Sequence, residues 1–329
     1  MPVSLRRGTV TAVHEHLEEL ARLEVNGVAC VAYPRLTGPV AVGDDVLVNV
    51  QARELGLGSG GFDILYANLT RGLELPPEDG AHVIKLPYTP LQAAVRHADE
   101  TGPLEDSLGG RPVVCCSLHS QLAPVCAGLG GGLRVAYVQL PGGALPVSLS
   151  DTVRALRARG LLEAAVAVGA CVDGDVQCVT TASALAWAAG AGFDAVVCGI
   201  GPGIVGTGTS LGHGGLAAAE AANAAASLAG SPIVAARVSG ADERERHRGV
   251  SHRTRAVIDF CLGSVAVAWP AGLAAPAWLA ESREEVEVDG WEEACSGLPL
   301  AHMGRGPAED PWFFASAFAA GRLARSLLP

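Results

Sequence analysis

The residues best suited to chemistry lie in a glycine-rich segment, residues 199–215, in which eight of 17 residues are glycine. Backbone N–H groups that no Cβ atom crowds, followed by the start of a helix, are typical of anion-binding sites. We call this segment the glycine loop, and it predicts such a site. The alternative is a long flexible lid without ligand contacts, although ordering so many glycines costs conformational entropy. The residues predicted to contact the anion are Gly201, Gly203, Gly206, Thr207 and Thr209.

The glycine loop formally matches the dinucleotide-binding fingerprint G-x-G-x-x-G at Gly201, Gly203 and Gly206. However, the helix after it is predicted to begin near Gly214, and no acidic residue ends a strand about 20 residues later, as the fingerprint requires. A P-loop also requires a lysine within its motif, and the only lysine of the chain is Lys85. The sequence therefore argues against both nicotinamide and P-loop chemistry, and the cofactor stays open.

Two histidines after predicted strands are candidate acid–base groups. His213 precedes the helix after the glycine loop, where the helix dipole favours a neutral imidazole that can act as acid, base or hydrogen-bond donor. A histidine that only caps the helix is the alternative. His119 follows another strand beside Ser117 and Ser120, but no G-x-S-x-G motif surrounds either serine. A hydrolase triad is therefore poorly supported.

A second polar segment, residues 242–255, carries five arginines and two histidines against three acidic residues, and we call it the arginine segment. Ser251 is a candidate helix N-cap, which places His252 and Arg253 in the first helical turn. Cations there are unfavourable by about 0.3–1 kcal/mol each, and a bound anion would reverse that sign. The alternative is an exposed loop whose arginines pair with its own acids. Besides His252 as a third acid–base candidate, the predicted ligand contacts are Asp242, Arg246 and Arg253.

The single lysine and a pair of aspartates are further candidates for special roles. Lys85, the single lysine, could be retained for its titratable amine, but chance retention is the simpler interpretation. Asp173 and Asp175 could hold Mg²⁺, but Asp-Gly is most often a turn. No metal site is predicted.

The composition excludes several classes of protein. Of the 329 residues, 49% are hydrophobic and 17% charged, and the mean hydropathy is +0.31, which excludes a disordered chain. The apolar runs end well short of the roughly 18 residues that a membrane span needs. A net charge of −11 argues against nucleic acid as a partner.

The nine cysteines form no C-x-x-C pair and lie mostly in apolar runs. This usage predicts reduced, buried thiols and a cytoplasmic location. The chain has 22 arginines but one lysine, which indicates a GC-rich bacterial genome.

The first 80 residues predict a small β-barrel domain of the SH3-like or OB-like type. The strands are short, no helical period occurs among them, and Asn26-Gly27 favours a two-residue hairpin turn. A glycine-rich loop is predicted at residues 56–61 and a linker at 76–80. The predicted strands are residues 8–13, 20–25, 28–33 and 46–50.

Residues 81–329 predict an α/β domain, Rossmann-like, with a doubly wound and mostly parallel sheet. Apolar runs alternate with helical stretches, and continuous apolar runs are typical of strands covered on both faces. The predicted strands are residues 113–118, 134–140, 164–172, 195–200, 233–239 and 264–269, with an edge strand within 281–289. The predicted helices are residues 90–100, 149–159, 180–191, 215–228, 251–262 and 311–328.

The glycine loop with His213, taken together with residues 246–252, resembles an uncharacterised bacterial family, domain of unknown function 3866. The resemblance covers nearly the whole chain, including the strand-rich N-terminus and the segment around Lys85 and Tyr88. The family carries no assigned activity or catalytic residues, so the resemblance adds nothing about function.

In an open α/β sheet, ligands bind beyond the carboxyl ends of the strands. The glycine loop and the arginine segment both follow strand ends, so we expect them at one edge of the sheet. The predicted function is binding, and potentially turnover, of a small anionic metabolite, phosphorylated or carboxylated. The alternative is a non-catalytic ligand sensor or assembly subunit. The low charge fraction and the aromatic C-terminal helix predict a homodimer.

Overall fold

The structure is a computed structural model that describes residues 3–57 and 61–328. The chain forms two compact units, Met1–Arg96 and His97–Pro329. Positions 58–60 of the predicted glycine-rich loop lie outside the described residues. Among the described helices, none combines the length and apolar character that crossing a membrane requires.

The first unit contains a closed five-stranded barrel, which confirms the predicted N-terminal barrel. Its strands are β1 (Leu5–His16), β2 (Ala21–Val25), β3 (Val28–Ala32), β4 (Asp45–Asn49) and β5 (Asp63–Asn68), and the short helices α1 (Pro34–Thr37) and α2 (Gln51–Glu54) flank β4. The order is β1-β2-β3-β5-β4, and β4 pairs with β1 to close the barrel. Asn26 and Gly27 have φ angles of 51° and 78°, as the predicted type I′ turn requires.

After the barrel, residues 83–95 form a hairpin. Strands β6 (Val83–Lys85) and β7 (Ala93–Val95) pair antiparallel, and only α3 (Ala98–Thr101) is helical. The helix predicted at residues 90–100 is therefore wrong. The backbone reverses at Tyr88, which has a φ of 61°, and the strand pairing that follows outweighs the helix propensity of the two alanines in β7. The boundary predicted near residue 80 falls between barrel and hairpin.

The second unit is built on an eight-stranded sheet in which every strand pair is parallel. The order is β11-β10-β9-β12-β8-β13-β16-β17, and β14 pairs with β15 outside the sheet. The strands are β8 (Pro112–Cys116), β9 (Val135–Leu140), β10 (Ala164–Val168), β11 (Val176–Cys178), β12 (Ala195–Ile200), β13 (Ser231–Ala235), β14 (Val238–Ser239), β15 (Gly249–Val250), β16 (Ala266–Pro270) and β17 (Arg283–Val286).

Helices cover both faces of this sheet, which confirms the predicted doubly wound α/β fold. The helices are α4 (Leu122–Leu129), α5 (Asp151–Ala158), α6 (Thr181–Gly190), α7 (Ala217–Ser227), α8 (His252–Asp259), α9 (Trp291–Ala294) and α10 (Pro311–Ser326). Helices α6, α7 and α8 pack in one core, and α4, α5 and α10 pack in the other. Consecutive residues of a strand, such as Val113 and Val114, point alternately into these two cores.

The C-terminal helix α10 closes the second core. The connections after β12 and β13 run through α7 and α8, so the opposite face of that half of the sheet needs another cover. Buried side chains of α10, including Phe318, supply it. The helix and α4 approach closely because Gly128 and Gly321 face each other's backbone: a Cβ at Gly321 would lie 2.0 Å from the Val125 carbonyl oxygen.

The direction of the connections reverses between β9 and β12. The chain leaves β9 toward β10 on one side, and it leaves β12 toward β13 on the other. Such a switch point is where open α/β sheets form a crevice beyond the strand ends. The glycine loop follows β12 at this edge, and the arginine segment follows β13 and β14.

Candidate functional site

A group of basic side chains lies beyond the carboxyl ends of β8 and β13. We call it the arginine–histidine cluster, and its members are His213, Arg237, His247, His252 and Arg253. Gly215 seats His213 against the end of β8, because a Cβ there would lie 2.8 Å from the Ser117 carbonyl oxygen and 3.1 Å from Nδ1 of His213.

The glycine loop and the arginine segment meet in this cluster. The ring centroids of His213 and His252 are 6.3 Å apart, and those of His252 and His247 are 5.0 Å apart. Arg253 donates a 3.4 Å hydrogen bond from Nη2 to the carbonyl oxygen of Thr207. The structure thus brings the two segments to one place at the edge of the sheet.

Arg237 follows β13 in the chain and is 1% exposed. Its Nη2 donates to Oδ2 of Asp242 at 2.9 Å and to Nε2 of His302 at 3.3 Å. Burial lowers the pKa of Arg237 to about 10, while the Asp242 carboxylate acts in the opposite direction. The guanidinium therefore stays charged at neutral pH.

Asp242 is the shared hydrogen-bond acceptor for three arginines, which occupy its carboxylate oxygens. It accepts bonds from Arg237, from Nε and Nη2 of Arg244 at 2.9 and 2.8 Å, and from Arg305 at 3.4 Å. The hydrogen bonds from Arg244 hold the pKa of Asp242 well below its usual range. Asp242 therefore positions the arginines, and its contact with a ligand stays a prediction.

A second buried carboxylate, Asp310, fastens the other side of this network. It accepts a 2.5 Å hydrogen bond from the Ser239 hydroxyl, a 3.0 Å bond from the Gly240 N–H and a 3.3 Å bond from Nε of Arg305. The Ser239 hydroxyl in turn accepts from the N–H of Asp242. The chain after β14 is therefore held to the start of α10.

The cluster concentrates buried nitrogen atoms that have no hydrogen-bond partner. Among the described residues, ten buried side-chain nitrogen or oxygen atoms lack a partner, and six of them are nitrogens of this cluster. They are Nδ1 and Nε2 of His213, Nε of Arg237, Nε2 of His247, Nε2 of His252 and Nε of Arg253. A buried donor without an acceptor costs about 1–3 kcal/mol, so six nitrogens in one place point to a missing acceptor.

Arg253 carries the clearest imbalance of charge. Its side chain is 7% exposed, and within the described part of the chain no carboxylate forms an ion pair with it. Burial, together with Arg244 and Arg246, lowers its pKa. A desolvated guanidinium without a counterion is unfavourable unless an anion from outside supplies the charge.

The histidines of the cluster are neutral at pH 7. Burial and then the charge of Arg253 lower the pKa of His213 to about 4. Burial and the nearby arginines lower the pKa of His247 to about 3 and also lower the pKa of His252. The Ser210 carbonyl favours the protonated ring of His213 but lies outside hydrogen-bond geometry. Each neutral ring therefore has one N–H that can donate a hydrogen bond and one nitrogen that can accept a proton.

The proton of His247 can be assigned from its neighbours. Nδ1 of His247 lies 2.7 Å from the hydroxyl of Ser251, which caps α8 by accepting from the N–H of Arg253. The Ser251 hydroxyl is then assigned as the donor to Nδ1, and the proton of the imidazole ring is on Nε2. Nε2 of His247 is buried without a partner, so it presents an N–H to the cluster.

His302 and Ser120 form a pair that resembles a catalytic serine–histidine dyad. The ring proton of His302, however, is on the wrong nitrogen for such a dyad. Nδ1 of His302 lies 3.2 Å from the Ser120 hydroxyl, and Nε2 faces Arg237, which can only donate. The ring proton is therefore on Nδ1, so His302 cannot take a proton from Ser120. Its ring stacks on Phe313 with centroids 3.8 Å apart, and the pair braces Arg237.

His119, also predicted to act as an acid–base residue, lies apart from these contacts. Its Nδ1 must donate to the Ile200 carbonyl oxygen at 3.1 Å, and its Nε2 lies 2.7 Å from the Ser150 hydroxyl. Burial lowers its pKa to about 4, so the ring is neutral. With both nitrogens bonded, His119 links β12 to the start of α5, and the geometry favours a structural role.

The glycine loop is an ordered hairpin whose polar groups bond mostly to one another. Gly206 and His213 form an antiparallel bridge, and the N–H of Thr207 donates to the Gly212 carbonyl oxygen. The hydroxyls of Thr207 and Thr209 are 2.9 Å apart, and each also bonds to Gly212. These threonines shape the hairpin, because their hydroxyls are occupied within it.

Several glycines of the predicted anion site serve close backbone packing. A Cβ at Gly201 would lie 2.1 Å from the Ala144 carbonyl oxygen, and one at Gly214 would lie 2.1 Å from that of Gly142. Gly203 has a φ of 70° and open space around it. Nearby, Arg246 is exposed and lies over Gly208, with its guanidinium carbon 3.9 Å from a Cβ placed there.

Sequence reasoning missed four residues of the surrounding network: Arg237, His302, Arg305 and Asp310. Arg237 was detectable, since it is a charged residue inside the apolar run predicted as a strand at 233–239. The other three lie more than 60 residues further along the chain, and no local pattern marks them.

No group of three or more metal-ligating side chains among the described residues could hold a metal ion. Asp173 accepts from the Ser148 hydroxyl, and Asp175 accepts from Arg157 and from the N–H of Ala165. Both carboxylates therefore support the turn between β10 and β11. Lys85 is buried at 3% exposure in the hairpin of the first unit.

The family model described as protein of unknown function (DUF3866) matches residues 29–321. The chain belongs to this family. A comparison with curated proteins gives no match. The matched region begins within β3 of the barrel, includes β4 and β5, and contains the whole arginine–histidine cluster.

Proposed function

We propose that this DUF3866 protein binds a small anionic metabolite, phosphorylated or carboxylated, in the arginine–histidine cluster. The observation that carries the proposal is the group of six buried, unpartnered nitrogen atoms on five side chains. Because the neutral ring of His213 carries one N–H, five of the six nitrogens can donate a hydrogen bond at once, and an anion supplies the acceptors that they lack.

The position of the cluster supports the same proposal. Arg253 lies in the first turn of α8, where the helix dipole disfavours a cation. An anion bound beside Arg253 would interact favourably with the guanidinium and with the dipole at once. The cluster also lies at the carboxyl edge of a parallel sheet, where this class of fold binds its ligands.

Turnover of the bound anion is the second function we propose. The neutral rings of His213, His247 and His252 have ring nitrogens free for proton transfer. A non-catalytic sensor or assembly subunit would use the same rings only as hydrogen-bond donors. Phosphorus and proton NMR of a metabolite panel incubated with the protein separates the two, because only an enzyme changes the chemical shifts of the ligand over time.

The binding proposal is tested by replacing Arg253. Thermal unfolding in a chloride buffer is compared with and without inorganic phosphate or citrate. We expect the anions to raise the melting temperature of the wild type by mass action, and Arg253→Met to abolish most of that shift. Arg255→Met is the matched control, since Arg255 lies on the same helix and pairs with Asp259 at the surface. An equal shift in all three proteins would overturn the proposal.

We also propose a homodimer. The aromatic side chains Phe313, Phe314 and Phe318 of α10 are buried within the unit, so they no longer support it. Its remaining support is exposed apolar surface, including Phe260 and Leu262 after α8, which are 50% and 91% exposed. Light scattering that gives only a species near 33.4 kDa at micromolar concentration would refute it.

A bacterial cytoplasm is the compartment we propose. All nine cysteines are free thiols, and eight of them are buried, as is usual where thiols stay reduced. We expect the melting temperature to be the same with and without a strong reductant. A loss of stability in reductant would contradict the proposal.

A further inference from the structure

We infer that the anion is a tetrahedral group with two negative charges, as at the end of a phosphate monoester. This inference rests on the proposed binding function and names the chemical class of the ligand. Two independent features carry it: the balance of charge in the hydrogen-bonded network around the cluster, and the number and arrangement of free donors within it.

The balance of charge leaves two positive charges uncompensated. Four guanidinium groups face the site or its supporting network, on Arg237, Arg244, Arg253 and Arg305. They share two carboxylates, Asp242 and Asp310, and the histidines of the cluster are neutral. Arg244 and Arg305 are partly exposed, at 35% and 20% of their side chains. A monoanion would leave one positive charge of this network uncompensated, whereas a dianion neutralises both.

The exposed charges of the arginine segment do not change this balance. Glu243, Glu245 and Arg246 are exposed, and solvent screens their charge. Asp259 is paired with Arg255 at the surface. The four arginines and two carboxylates of the hydrogen-bonded network therefore decide which charge the site prefers.

The free donors exceed what a carboxylate can accept. Each neutral imidazole of His213, His247 and His252 offers one N–H, and Arg237 and Arg253 each offer the N–H of Nε. A carboxylate has two coplanar oxygens with about four lone-pair sites. A phosphoryl group has three strong acceptor oxygens that point in different directions. Five donors therefore suit the phosphoryl group better.

The donors also approach from three parts of the fold. His213 comes from the glycine loop, Arg237 from the end of β13, and the remaining three from the arginine segment and the start of α8. Groups that converge from separate elements surround a tetrahedral ligand more readily than a planar one, whose oxygens lie in a single plane. The half-buried His252 and the partly exposed Arg244 mark the open side of the site.

The test uses four small probes that vary charge and shape separately. Methyl phosphate is a tetrahedral dianion above its second pKa of about 6, and methyl sulfate has the same shape with one charge. Malonate is a dianion built from planar carboxylates, and acetate is the corresponding monoanion. Calorimetry at pH 8 in dilute chloride should give an affinity for methyl phosphate at least tenfold above that for the other three.

Two further measurements sharpen the test. Lowering the pH from 8 to 5 removes one charge from methyl phosphate, so its preference over methyl sulfate should fall about tenfold. Methyl sulfate corrects for any titration of the protein itself. Arg253→Met should lower the affinity for methyl phosphate more than that for methyl sulfate, while Arg255→Met should leave both unchanged.

Each outcome decides between the two proposals. Equal binding of methyl phosphate and methyl sulfate would overturn the inference of two charges, and malonate binding as tightly as methyl phosphate would overturn the tetrahedral shape. In both cases the proposed binding function would stand. If the wild type binds none of the four probes at millimolar concentration, the proposed binding function fails and the inference fails with it.

Discussion

Arg253 is the residue on which the proposed anion site depends most. The guanidinium is buried at the start of α8, next to like charges and without a carboxylate partner in the part of the chain that the structure describes. A residue of the same length without charge would avoid the desolvation. The proposed anion would supply the negative charge that the surroundings of Arg253 lack.

Replacement of Arg253 by methionine should raise or preserve the free energy of unfolding when no anion is present. Removing an unpaired buried charge is expected to stabilise by about 1–3 kcal/mol, offset in part by the loss of the bond to Thr207. Urea unfolding in chloride buffer measures the change, with Arg255→Met as the control. A loss of more than about 1 kcal/mol would show that Arg253 is needed for folding, and would weaken its assignment to a ligand.

Asp242 gives the opposite result at the residue scale. It is buried and compensates the charges of Arg237 and Arg244, so its removal leaves guanidinium groups unpaired. We expect Asp242→Ala to lower the free energy of unfolding by about 3–5 kcal/mol. Circular dichroism during urea unfolding checks this value. A variant as stable as the wild type would mean that the arginines find other partners.

Helix crossings that depend on glycine position the elements of the second unit. At the crossing of α4 and α10, Gly128 and Gly321 allow the two backbones to meet, and a Cβ at Gly321 would lie 2.0 Å from the Val125 carbonyl oxygen. Helix α10 carries the buried Phe313 that stacks on His302, so this crossing also places a support of Arg237. Packing of an element far from the cluster thus affects its geometry.

Gly321→Ala distinguishes local propensity from tertiary packing. Helix propensity alone predicts that alanine stabilises α10 by about 1 kcal/mol. The contact with Val125 predicts a loss of about 1–3 kcal/mol instead, because either helix must move. We expect the loss, measured by thermal or urea unfolding. Gly131→Ala is the control, since a Cβ there meets nothing within 4 Å. A gain in stability would show that the crossing is looser than described.

The whole molecule should be sensitive to acid because it buries several neutral histidines. The pKa is lowered to about 4 for His119 and His213 and to about 3 for His247 and His302, against 6.5 for an unperturbed side chain. In each case burial is the largest cause. Protonation therefore favours the unfolded chain once the pH falls below the unperturbed value.

The sign and the pH window follow from these values. The contribution of each histidine to stability is complete above about pH 6.5 and is lost as the pH falls toward 4, at about 1.4 kcal/mol per pH unit. With four such histidines, we expect the free energy of unfolding to fall by on the order of 8 kcal/mol between pH 7 and pH 5. Urea unfolding at three pH values and the imidazole proton resonances of the native state provide the measurement. A stability that does not change over this range would refute the assignment of buried neutral histidines.

Much of the architecture was predictable from local patterns. Short strands with an Asn-Gly turn predicted the barrel, and apolar runs alternating with helical stretches predicted the doubly wound parallel sheet. Both periodicities reflect which faces must be buried, and that information is local. The same patterns located the glycine loop and the arginine segment after β12 and β13, at the carboxyl edge of the sheet.

Only the tertiary structure decided how the polar groups are used. His302 contacts Arg237, and Asp310 accepts from Ser239, each across more than 60 residues, while Thr207 bonds to Thr209. Residues 93–95 form a strand, where the sequence predicts a helix, because they pair with β6. The sequence determined which segments carry charge, but the partner of each charge depends on contacts between distant segments. For this reason, the one buried guanidinium without a carboxylate among the described residues, Arg253, became apparent only in the folded chain.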